Sequence, residues 1–142
     1  MTHQTAGGIL FSQDLKQVYL IYKTTRDEFL LPKGHIEDDE SIMDTAKREI
    51  YEETGYRNFL LLGAEPLVTN RFKLPDGDTK IVRFFIAILM SDKRDITKWM
   101  KEESLGGHWF KIDEAIDRAK YEDIKLSIKK ARDVIQTLRN SK

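Results

Sequence analysis

The sequence contains no cysteine and only three prolines among its 142 residues. Without thiols there is no disulfide framework, no thiolate zinc site and no cysteine nucleophile. A reducing compartment is compatible with that composition, and the cytoplasm is the expected location. An excess of one charge is missing too, because Lys plus Arg and Asp plus Glu both total 24. A balanced chain has no overall basic field to draw it to nucleic acid, so no stable nucleic-acid partner is expected. No apolar run approaches the roughly 20 residues that span a bilayer, and the first residues show no basic stretch leading into an apolar core. A membrane partner is therefore not expected. The three histidines, His3, His35 and His108, are dispersed and match no zinc spacing.

What is present reads as globular. Hydrophobic residues make up 40% of the chain and charged residues 34%, with apolar segments along the whole length. The length suits one domain, 1–142, with a single core. It leaves the oligomeric state open.

Residues 5–11 and 17–22 are short runs rich in Ile, Val, Leu and aromatics on either side of the polar turn Ser12-Gln13-Asp14, and predict a hairpin. Phe29-Leu30-Leu31 predicts a third short strand stopped by Pro32, which cannot donate to a central ladder. A loop through Gly34 should follow. Over 41–54 the period becomes helical, with Ile42, Met43, Ala46 and Ile50 on one stripe and Gly55 placed to end the last turn. Residues 59–69 and 80–89 predict strands joined across Pro75-Asp76-Gly77-Asp78, and 107–111 a shorter one. Helical spacing returns at 112–119 and 123–138. This order favours an α/β fold with a mixed sheet and helices packed on it over a regular βαβ array.

Within the first helix Glu49 and Glu53 stand one turn apart, with Glu52 beside them and Arg48 just behind. Like charges at that spacing repel, and the negative end of the helix dipole adds to the cost. A hard divalent cation such as magnesium, which prefers carboxylate oxygen, would offset it. An isolated run of this kind is more often simply a solvated acidic face, since exposed Glu is common on helices.

The surroundings discriminate. From Gly34 to Tyr56 the chain reads G-x5-E-x7-R-E-U-x-E-E-x-G-U, where U is bulky and apolar, with Glu40, Arg48, Glu49, Glu52, Glu53 and Gly55 at the remaining fixed letters. At ordinary residue frequencies such a match arises at one start with a chance of about one in 10⁸. The segment resembles the Nudix box. That resemblance implies the Nudix fold, a central mixed sheet sandwiched between the box helix and the C-terminal helices. It also implies metal binding by Glu49, Glu52 and Glu53 with a backbone carbonyl just before the box, at Lys33. Arg48 and Glu40 would brace helix and loop, while Gly34 and Gly55 permit tight or left-handed backbone. Magnesium, or alternatively manganese, is the implied cofactor, and the implied reaction is attack of water on a phosphoanhydride.

Similarity extends beyond the box. Ala6-Gly7-Gly8-Ile9-Leu10-Phe11 resembles the opening strand of small Nudix enzymes, where the paired glycines fit either a close backbone approach or a bulge. Pro32-Lys33-Gly34-His35-Ile36-Glu37 resembles the asymmetric diadenosine tetraphosphate hydrolases more than the MutT-like enzymes. Lys80-Ile-Val-Arg-Phe84 resembles that subgroup's lysine and base-stacking aromatic, and Glu103, six residues before Trp109, its loop glutamate. The resemblance thus implies a small-molecule nucleotide substrate, by preference diadenosine tetraphosphate split to ATP and AMP. Lys33, His35, Lys80 and Phe84 would bind it. Glu103 would be the general base, Glu102 its substitute if the loop register shifts, and Glu53, Glu52 and Arg48 would act with it. A nucleoside triphosphate, ADP-ribose or an RNA 5′ end remains an alternative substrate, and a non-catalytic nucleotide sensor an alternative role. Phe84 and Tyr121 are open to packing as well as stacking. The C-terminal helix departs from the subgroup, with Val134 and aliphatic neighbours where a second aromatic is expected.

Overall fold

The computed structural model describes residues 1–141. In chain order the elements are β1 (Thr2–Phe11), β2 (Gln17–Lys23), β3 (Glu28–Leu30), β4 (Lys33–His35), α1 (Ile42–Thr54), β5 (Phe59–Leu62), β6 (Val68–Lys73), β7 (Thr79–Leu89), α2 (Lys98–Glu102), β8 (Leu105–Lys111), α3 (Ile112–Arg118) and α4 (Glu122–Asn140). The sheet is mixed, as expected. β1 and β7 run parallel over their full facing length, from Thr2↔Thr79 to Phe11↔Ile88, and the other pairings are antiparallel.

Strand alternation sends side chains to two opposite layers. Ile9, Phe11, Leu20, Val82, Phe84 and Ile86 pack with Ile116, Ile124, Ile128 and Ile135 of α3 and α4. On the other face Leu10, Tyr19, Ile21, Ala87 and Leu89 pack with Ile50, and Ala6 and Phe85 with Ala46, so α1 forms the second layer. Each fully buried aliphatic contributes about 1.5–3 kcal/mol of transfer free energy. The sandwich read from the sequence is the one observed.

α1 has the expected ends. The Ser41 side chain accepts a hydrogen bond from the Asp44 amide at 3.0 Å, and Gly55 closes the helix at φ 82°, a left-handed conformation that a Cβ would strain. The segment expected as one strand over 59–69 is two. β5 and β6 both lie along the same edge of β7, but 63–67 loops out opposite Phe85, where Gly63 takes φ 88° and Pro66 can give no amide to a ladder. α2 and β4 were not expected. α2 is a single short turn capped by Thr97, too short to show a period. β4 forms where the chain after Pro32 meets β1, pairing Lys33 with Gly7 and His35 with Thr5. The Gly7-Gly8 pair is no bulge: both residues stay in register with β7, and Gly7 lies against the Pro32 carbonyl, where a Cβ would collide.

These details position a cavity. β1 and β2 pair only at Phe11↔Val18 and then diverge, and β3 and β4 enter the gap. The C-terminal half of α1 crosses the mouth of that split on one face.

Candidate active site

The cavity at the split has a volume of about 550 Å³. Its acidic side comes from α1 and the end of α2, where Glu49, Glu52, Glu53 and Glu103 line it. Its basic side comes from Lys33 on β4 and Lys80 on β7.

Arg48 organises the acidic side. Its Nε and Nη2 donate to the two carboxylate oxygens of Glu40 at 2.7 and 2.9 Å, a bidentate pair. Nη2 also donates to the His35 carbonyl at 3.0 Å, and Nη1 to Glu49 at 2.8 Å and Glu52 at 3.2 Å. Glu40 in turn accepts from the Glu37 amide and the Thr45 hydroxyl. One guanidinium therefore ties the 35–40 loop to α1, and it holds the Glu40 carboxyl down at about 2. Arg48 thus bonds Glu40 and the His35 carbonyl of the loop together with Glu49 and Glu52 of α1.

Glu53 is buried at 8% exposure, and its Oε1 accepts the Lys33 amide at 2.7 Å. Burial pushes its pKa up to about 8, opposed by that amide and reinforced by Glu49 and Glu103. Burial is also the largest cause raising Glu49 and Glu52, with Arg48 opposing it. Lys33 is lowered by burial and then by neighbouring Lys80. Gly34 leaves room for the Glu49 carboxylate, which a Cβ there would push aside. Among the described residues no three acidic or histidine side chains already converge as a ligand set. The donors nevertheless suit a hard divalent cation: they are carboxylate oxygens only, desolvated and mutually repelling, so a cation would relieve the strain burial imposes.

Glu103 follows the last turn of α2, its amide donating to the Trp99 carbonyl at 2.9 Å. The next residue, Ser104, takes φ 55° and is held from the facing hairpin by the Thr24 amide and hydroxyl. Thr97, at the other end of α2, donates to the Glu52 carbonyl. The turn bearing Glu103 is thus anchored to both α1 and the β2–β3 hairpin. Glu102 is exposed and lies outside the cavity, which separates the two candidates.

His35 is exposed at the cavity edge, its ring edge-on to His3 with centroids 6.1 Å apart. Tyr121 is exposed as well, and its hydroxyl donates to Glu28 at 3.1 Å. Phe84 is a correction. It has no exposure and lies within the core between the sheet and α4, so it offers no face to a base. Alternation along β7 sends Val82, Phe84 and Ile86 into the same apolar layer, while Lys80 emerges at the strand's open end. Phe84→Ala is accordingly expected to cost about 3–5 kcal/mol of stability. It should lower turnover of all substrates alike, which denaturant melts alongside rates of the folded fraction will check.

Sequence reasoning missed Lys23 and Arg26 on the β2–β3 hairpin, and Ile21, Leu105 and Trp99, all of which line the cavity. No spacing signals them, because the divergence of β1 from β2 brings them in.

A family model described as NUDIX domain matches residues 1–130. The chain belongs to the Nudix family. Nudix hydrolase 13, mitochondrial, of Arabidopsis thaliana is 27% identical over 116 residues, 75% of this chain and 54% of that protein. The Rattus norvegicus protein named bis(5′-nucleosyl)-tetraphosphatase, asymmetrical, is 28% identical over 97 residues, 68% of this chain and 65% of its own length. This chain thus spans between about half and two thirds of these two curated relatives. The solved C. elegans Ap4A hydrolase binary complex superposes with a TM-score of 0.80 at 19% identity, covering 95% of this chain and 98% of that one. The Nudix sandwich is shared in full. No helix of the described residues is long and apolar enough to cross a membrane.

Proposed function

We propose that the chain, acting as one Nudix unit, is a divalent-metal-dependent hydrolase of phosphoanhydrides in nucleoside diphosphates linked to another group. The preferred substrate is diadenosine tetraphosphate, yielding ATP and AMP. The observation that carries this reading is the juxtaposition in one cavity of a carboxylate cluster with two half-buried lysines, Lys33 and Lys80. Glu49, Glu52 and Glu53 would hold magnesium or manganese, together with the Lys33 carbonyl. The cation, when bound, neutralises phosphate charge and acidifies water. Water adds to a phosphorus, the bridging P–O bond breaks, and Glu103 takes the proton. Lys33 and Lys80 pair with the phosphate oxygens as point charges. Arg48 and Glu40 keep the glutamates in place and touch no reacting atom. The name of the rat relative supports the tetraphosphate as the substrate to test first.

The test is turnover with magnesium across diadenosine polyphosphates, nucleoside triphosphates, ADP-ribose and triphosphorylated RNA, with product identification. ATP and AMP from the tetraphosphate at the highest specificity constant is the expected result. A nucleoside triphosphate preferred throughout would overturn the substrate. No turnover of any member would favour a sensing role. Removing Lys33 should also separate substrates, because the longer polyphosphate presents more charge: Lys33→Ala is expected to lower kcat/KM for the tetraphosphate roughly tenfold more than for ATP, equivalent to about 1.4 kcal/mol of charge-assisted contact.

A further inference from the structure

Phe84 leaves the base of the substrate without a stacking partner, and the cavity offers another. Trp99 is the aromatic side chain that lines it among the described residues. It is half-buried on α2, one turn before Glu103, so the two share a helix face. Lys98 lies over the ring, its Nζ 4.9 Å from the centroid, a contact that leaves an indole one further face to offer. Ile21 and Leu105, which pack in one apolar cluster, line the cavity too, from the β2–β8 ladder. Lys23, the register partner of Leu105, and Arg26 line it beside them. Among the described residues that line the cavity, Trp99 brings the one indole, Ile21 and Leu105 bring aliphatic surface, and Lys23 and Arg26 bring cationic donors.

We infer that Trp99, backed by Ile21 and Leu105, forms a nucleobase subsite beside Glu103, and that it sets the enzyme's preference for nucleotides over base-free polyphosphates. The inference rests on the hydrolase reading above. It assigns the base to the α2 side and the phosphate chain to the span from Glu103 toward Lys33 and Lys80. Lys23 and Arg26, which carry donors only, would face the ring acceptors of the base or the phosphate nearest the ribose. An aromatic platform is sequence-tolerant because every base has a π face, so the subsite should take adenine and guanine nucleotides alike.

The experiment compares the wild type with Trp99→Leu and Trp99→Phe, using a non-hydrolysable methylene analogue of ATP and inorganic tripolyphosphate as probes with magnesium present. Affinity is read by calorimetry and by quenching of tryptophan emission. The wild type should show quenching by the nucleotide and not by tripolyphosphate. Trp99→Leu should weaken nucleotide binding by about 5- to 100-fold, the range of one base–aromatic contact, and leave tripolyphosphate within about twofold. Trp99→Phe should recover much of the loss, which a packing defect in α2 would not permit. Unchanged nucleotide affinity in Trp99→Leu, or equal weakening of both probes, overturns the subsite while wild-type turnover leaves the hydrolase reading standing. A wild type that binds neither probe and turns over no phosphoanhydride overturns both.

Discussion

Glu53→Gln is expected to remove more than about 10² of kcat while raising the melting temperature of the metal-free protein. The loss follows from proposed ligation: groups that merely orient metal ligands cost about 10- to 100-fold when removed, and a ligand itself should cost more. The gain follows from burial. Glu53 is 8% exposed, and its pKa stands at about 8 against an ordinary 4.5, with desolvation the largest cause. A folded-state pKa above the unfolded value means that the carboxyl's contribution is fully present below about pH 4.5 and is lost as pH rises through about 8. At pH 9 the wild type therefore carries a buried anion, whereas glutamine stays neutral and its carbonyl still accepts the Lys33 amide. The variant should gain on the order of 1–2 kcal/mol there, roughly 3–8 °C, and little at pH 5. Thermal melts in chelator at both pH values, paired with rates in magnesium, check the two halves. Full turnover in the variant removes Glu53 from the site, and a gain larger at pH 5 than at pH 9 contradicts the burial argument.

α1 and its glutamates were legible because everything that makes them lies within one continuous stretch. The Ser41 cap, the Ile42–Ala46–Ile50 stripe, the Gly55 terminus and the Arg48–Glu40 brace are all set by local spacing. Phe84 was misread because an alternating strand gives two faces but not which layer covers each. That depends on α4 lying over Val82 and Ile86, from about forty residues further along the chain. The β5–β6 interruption carried a signal in Gly63 and Pro66 that an unbroken apolar reading overrode. Trp99, Lys23 and Arg26 had no readable signal at all. They line one cavity only because β1 and β2 separate after one pairing and α2 packs against α1 and β8, a long-range consequence of packing.

If Glu103 is the proposed general base, Glu103→Gln is expected to lower kcat by about 10² to 10⁴ with a much smaller change in KM. Three features argue for a base rather than a surface acid. The side chain lines the cavity, and its charge acts on Glu49, Glu52 and Glu53, which places it within electrostatic reach of the proposed cation site. The turn that presents it is fixed from two sides, by Thr97 on the Glu52 carbonyl and by Thr24 on the Ser104 carbonyl. Ser104 also adopts a left-handed φ of 55°, a conformation costly for a residue with a Cβ and retained only where the surroundings impose it. Exposure suits the task, because a group that must exchange its proton with solvent after each turnover cannot be sealed. Glutamine keeps the size and the loop but accepts no proton, so the rate at limiting pH should lose its dependence on a free carboxylate. Glu102→Gln serves as the matched control, since that side chain is exposed outside the cavity and its loss should leave kcat within about twofold. Equal effects from the two substitutions, or a Glu103→Gln enzyme whose kcat and pH profile match the wild type, would assign proton removal to the glutamates of α1 instead.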